Sequence, residues 1–110
     1  MKTMAFGLAA LAALTATQAL AAPHYMFCFG GGRPGLYYST VFAVPEGTKG
    51  ADKGKAFDAF LKGKYGQRIT PECHSNQTQA VAAADRKMRQ DNDQTSKFPS
   101  KIIETGWAGT

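Results

Sequence analysis

The sequence predicts an α+β domain: a two-layer sandwich with two helices on one face of a mainly antiparallel sheet, in a ferredoxin-like element order. Three observations predict it. Leu36 to Val44 alternate with the period of two of a strand, Leu36, Tyr38, Thr40, Phe42 and Val44 on one side and Tyr37, Ser39, Val41 and Ala43 on the other. Phe57, Phe60, Leu61 and Tyr65 recur at helical spacing, as do Ala80, Val81, Ala84 and Met88. Glycine, proline and polar clusters separate these stretches from one another.

Residues 1–21 read as a secretory signal. Lys2 supplies a positive start, Met4 to Ala16 form an apolar stretch too short to span a bilayer, and Ala19-Leu20-Ala21 is a small-x-small cleavage site. Residues 22–110 then make one small exported domain, periplasmic or secreted, with no stable membrane span once the signal is cut. Within it, His24 to Phe29 read as a first strand, ended by the Gly30–Gly35 loop, and Leu36 to Val44 return as a second, forming a hairpin. Asp52 caps a helix that Gly66 ends. Arg68 to His74 follow as a short strand that Pro71 confines to an edge or a bulge, because proline lacks the ladder N–H. Ser75 or Asn76 caps a second helix to about Asp91, with the alanines turned to the sheet. Lys101 to Trp107 are the last strand.

Cys28 and Cys73 are the only cysteines, and both lie in the exported part. One pair has one intramolecular connectivity, so an oxidising compartment makes a Cys28–Cys73 disulfide the expected state. A redox dithiol would show close Cys-x-x-Cys spacing, and a zinc site usually takes four ligands. Thirteen Lys and Arg against eight Asp and Glu give a formal charge of +5. Loss of Lys2 with the signal leaves +4, an ordinary solubility charge that favours acidic partners such as anionic glycans or lipid headgroups. No dense basic run with interleaved aromatics suggests nucleic acid.

The layout of Tyr37 to Val44, the Phe57 to Tyr65 helix, Arg68 to His74, the alanine-rich helix and Lys101 to Trp107 resembles that of the SPOR-type periplasmic domains. The resemblance covers most of the chain after the signal, as element order alone, and implies binding of peptidoglycan glycan strands. Ser39-Thr40-Val41-Phe42 stands where that family has a glutamine-glycine-phenylalanine style strand ending. No site residue carries across.

Among residues that could carry chemistry, the Gly30–Gly35 loop lacks the Gly-Lys-Ser/Thr ending of a phosphate loop and runs into a strand, so it reads as a hairpin turn with Arg33 at its tip. His24, Met26 and His74 suggest a copper or zinc site only if the fold brings them together, and no short ligand spacing fixes a geometry. Ser39, His74 and Asp58 or Asp85 can be written as a hydrolytic set, but Ser39 lies mid-strand rather than on a nucleophile elbow. The Asn76-Gln77-Thr78 sequon coincides with a helix start and reads as a cap. No catalytic residue, metal ligand or cofactor is assigned. The aromatics are too many for one face of a small sheet, and Tyr37, Trp107 and Arg33 are the expected binding residues. The leading function is a non-enzymatic exported module that binds a protein or cell-envelope glycan through an open sheet face. The alternative is a small secreted enzyme or enzyme inhibitor acting on an envelope component.

Overall fold

The computed structural model describes residues 22–110; the expected signal over residues 1–21 lies outside the described residues. The chain folds as β1 (His24–Gly31), β2 (Leu36–Tyr38), β3 (Phe42–Val44), α1 (Gly50–Tyr65), β4 (Glu72–Asn76), α2 (Gln79–Thr95) and β5 (Ile102–Glu104). The five strands form one mixed, curled sheet. β1 is its centre, antiparallel to β2 and β3 along one edge and to β4 along the other, while β5 adds parallel to β2.

The expected second strand is broken in two, and the break is a β-bulge. Phe29 pairs with Tyr38 and Met26 with Phe42, so two residues of β1, Phe27 and Cys28, face three on the return strand, Ser39, Thr40 and Val41. An extra residue reverses side-chain parity. Tyr37, before the bulge, therefore shares a core cluster with Phe42 and Val44 beyond it, joined by Met26, Cys28, Phe57, Leu61 and Trp107. Phe27, Phe29 and Tyr38 form a second cluster, with Leu36, Val41 and Ile102 packed against it. Residues alternate between the clusters along β1, so these clusters are the two faces of the sheet.

Among the described residues each face carries one helix. Phe57 and Leu61 of α1 are fully buried in the first cluster. On the other face, α2 sets the guanidinium carbons of Arg86 and Arg89 5.5 and 4.5 Å from the ring centres of Tyr38 and Phe29. This departs from the expected sandwich with both helices on one face. Strands β3, β4 and β5 all run antiparallel to β1, so β3-α1-β4 and β4-α2-β5 are parallel crossovers, the first passing one way across the sheet and the second passing back. Crossovers of the usual right hand that move in opposite senses place their helices on opposite faces.

The helix ends follow local chemistry, with shifts from the sequence reading. α1 begins at Gly50 after Lys49, which makes no side-chain cap; Asp52 lies in the first turn, where its charge suits the helix dipole. Gly66 closes it with φ 68°. β4 runs on through Ser75 and Asn76, so the α2 cap is Thr78, whose Oγ1 accepts the Val81 N–H at 3.1 Å. Pro71 stands just outside β4, where its missing N–H costs no ladder bond. Cys28 and Cys73 are directly opposed across β1 and β4 and are joined by a disulfide.

Candidate functional site

The bulge that splits the return strand also borders an open groove on the α2 face of the sheet. Its backbone groups need partners that a regular ladder no longer supplies, and the sequence provides them from three directions. Ser39 N–H donates to the Cys28 carbonyl at 2.8 Å, and the Ser39 hydroxyl accepts the Cys28 N–H at 2.8 Å. The Ser39 carbonyl accepts from Arg86 Nε at 2.9 Å, and the Thr40 N–H and hydroxyl both donate to the Trp107 carbonyl at 2.9 and 3.0 Å. Arg86 continues to the Glu104 carboxylate, which also accepts from Gln90 Nε2 at 3.2 Å.

Between this network and the helix lies an open groove of about 420 Å³ lined by Thr40, Val41, Ala83, Arg86, Lys87 and Gln90. Val41 and Ala83 give it an apolar floor. Lys87 and Gln90 supply donors along its wall, Lys87 being held to Asp91 at 2.8 Å one turn on. A second, smaller groove of about 270 Å³ is lined by Gly54, Asp58 and Ile69 with neighbouring residues of α1 and the segment before β4.

α2 presents its expected apolar stripe outward. Val81 and Met88 are 53% and 57% exposed, and of the helix only Ala82 is buried. The side that meets the sheet is polar instead: Asp85, Arg86, Arg89 and Asp93. The reason is the surface beneath it. Aromatic faces attract guanidinium groups, so the rings of Phe29 and Tyr38 accept arginines where an aliphatic layer would not. Asp93 accepts the Tyr38 hydroxyl at 2.8 Å, and Asp85 Oδ2 lies 3.3 Å from Nδ1 of His74, whose ring stands edge-on to Phe27 and Phe29. Burial, the bond to Asp93 and the carboxylate charge push the Tyr38 phenol well above the usual tyrosine range, against a smaller opposing effect of Arg89 and Arg86.

The expected binding residues fall apart on this fold. Tyr37 is 1% exposed, its ring tilted at 58° to that of Tyr65 and its hydroxyl donating to the Arg33 carbonyl. Trp107 is 4% exposed among Phe42, Phe57 and Phe60. Both are core, so the exposed aromatic platform on an open sheet face is corrected to a face closed by a helix. Arg33 is exposed at the hairpin tip, its N–H donating to Gln67 Oε1 at 3.0 Å.

The metal reading dissolves for the same geometric reason. Met26 is buried on the α1 face, whereas His74 pairs with Phe27 and faces α2. Among the described residues no cluster of His, Cys, Asp or Glu is arranged to hold a metal ion. Ser39, written above into a hydrolytic set, spends its hydroxyl on the Cys28 amide and the Thr40 carbonyl, while Asp58 accepts from the Ile69 N–H. The residues that build the groove, Arg86, Lys87 and Gln90, were not singled out from sequence. The one available signal is their i, i+1, i+4 spacing, which places them on a single flank of the helix.

The fold and the groove together define a small disulfide-tied α+β domain with a mixed five-stranded sheet and one helix on each face. The chain matches no family model, no curated protein and no solved structure.

Proposed function

We propose that the chain is an exported, non-enzymatic module that binds a protein or a cell-envelope glycan, and that the groove between α2 and the bulge is where the partner lies. The observation that carries this reading is the groove's lining: an apolar strip of Val41 and Ala83 bordered by Lys87, Gln90 and Thr40. A shallow trough with an apolar floor and convergent polar groups suits an extended segment that offers alternating apolar and polar contacts. The network beneath it is already satisfied through Ser39, Arg86 and Glu104, so the trough is held in place before a partner arrives.

Capture assays with envelope extracts and with purified cell-wall material test the reading. Ala83→Glu and Lys87→Glu, both at exposed helix positions, should each lower capture several-fold while leaving the melting temperature within a few degrees of wild type. Unchanged capture by both variants removes the groove from the binding surface.

A further inference from the structure

We propose that the end of the molecule around the hairpin tip is a docking surface for an anionic phospholipid bilayer. The surface is separate from the groove above. The fold brings four segments together there. The Arg33 N–H donates to Gln67 Oε1 at 3.0 Å, which ties the hairpin tip to the chain leaving α1. The Leu36 N–H donates to the Lys101 carbonyl at 2.8 Å, and the Ser100 N–H to the Asp93 carbonyl at 3.2 Å, which tie it to the chain leaving α2.

Six cations stand on these segments, and all are exposed: Arg33, Lys62, Lys64, Arg68, Lys97 and Lys101. Of the acids on neighbouring segments, Glu72, opposite Phe29 at the start of β4, lies 3.6 Å from His74 Nε2. Asp58 lies 3.9 Å from the Arg68 guanidinium and also accepts the Ile69 N–H, and Asp93 is turned inward to the Tyr38 hydroxyl. Lys62 and Lys64 occupy the last turn of α1, where the helix dipole favours positive charge.

Next to Lys97, on the chain leaving α2, stands Phe98, 81% exposed, with the Lys97 ammonium 5.9 Å from its ring centre. A polyanion alone accounts for the lysines and arginines but leaves that ring in water. A bilayer with anionic headgroups accounts for both, because the charges meet the phosphates while the ring enters the boundary below them. Neither of the two grooves described above includes Phe98 or Lys101 in its lining. No helix among the described residues is long and apolar enough to cross a membrane, so the contact is peripheral.

The test is co-sedimentation with vesicles of phosphatidylglycerol and phosphatidylcholine, with pure phosphatidylcholine vesicles and soluble heparin as the other arms. Wild type and variants are compared in the same N-terminal form, so whatever residues 1–21 contribute is common to all. Wild type should partition onto the anionic vesicles and release as salt rises. The double variant Lys97→Gln/Lys101→Gln should weaken partitioning roughly 30-fold, from the usual contribution of each basic residue near an anionic surface. Phe98→Ala should weaken it about tenfold through lost apolar burial, with heparin binding unchanged. A Phe98→Trp variant adds a reading without truncation: its emission should shift to the blue on anionic vesicles, since the buried Trp107 has little exposure left to lose. Equal binding of wild type and Phe98→Ala to vesicles, or binding to heparin without vesicles, overturns the proposal; the second result assigns the patch to a soluble polyanion.

Discussion

The Ser39 hydroxyl accepts the backbone N–H of Cys28 at 2.8 Å, taking the place that a main-chain carbonyl holds in an unbroken ladder. Both residues are fully buried. The contact lies where the return strand gains its extra residue, and it explains how the bulge persists at the sheet's centre. A buried amide without an acceptor is costly, and a serine side chain is short enough to fill the gap from the opposite strand.

Ser39→Ala should therefore destabilise the protein by about 1–3 kcal/mol, the usual cost of stranding a buried donor. Urea unfolding measures that loss, and hydrogen exchange locates it. The Cys28 amide should exchange faster in the variant than in wild type by more than the global change explains. A variant as stable as wild type would mean that water or a shifted carbonyl replaces the hydroxyl.

The bulge also marks where sequence reading reaches its limit. Alternation from Leu36 to Val44 was legible as strand, and the aromatic spacing from Phe57 to Tyr65 as a buried helix face, because each pattern is local. Whether one strand or two carried that alternation was not legible. Ser39-Thr40-Val41 contains no glycine to announce a bulge, and the partners that stabilise it, Trp107 and Arg86, lie 67 and 47 residues from Thr40 and Ser39. The parity of Tyr37 depended on that unseen residue. The α2 face was misread for a related reason: alanine and methionine are apolar in any table, but the aromatic layer beneath the helix selects arginine, and that layer exists only once β1 and β2 are paired. The cysteine pairing needed less, since two cysteines leave a single intramolecular connectivity.

Tyr37 gives a direct test of the reversed parity. Tyr37→Ala should cost about 3–5 kcal/mol, the range for deleting a large buried aromatic, and Tyr37→Phe much less, since the ring remains against Tyr65 and only the hydroxyl contact to Arg33 is lost. Calorimetry or urea titration separates the two. A Tyr37→Ala protein that melts like wild type would return the ring to the surface.

The Cys28–Cys73 bond closes a separation of 45 residues and ties central β1 to edge strand β4. Reduction should lower stability by about 4 kcal/mol at most on the chain-entropy account. The unfolded, unreduced protein should show no titratable thiol, and two should appear after treatment with a reductant. Because α1 and α2 both connect through β4, hydrogen exchange should loosen in β4 before the hairpin. Two thiols in the unreduced protein would remove the bond.

Tyr38 supplies a dependence on alkaline pH. Its phenol is buried and donates to Asp93, so the folded protein holds that proton more tightly than the unfolded chain does. The sign follows from linkage. Below about pH 10, where an ordinary tyrosine ionises, both states keep the proton and the stabilisation is fully present. Above it the unfolded state releases the proton first, so stability declines as pH rises toward the elevated folded value. Tyr38→Phe removes the titrating group, along with the bond to Asp93, while leaving the ring beside Phe29 and beneath Arg86. The variant should be less stable than wild type at pH 8, and the gap should narrow between pH 10 and 11 as wild type loses stability that the variant never had. Urea unfolding at each pH gives both curves, with lysine and the other tyrosines contributing alike to each. Parallel curves across this range would show that the Tyr38 proton is no more tightly held in the folded protein than in the unfolded chain.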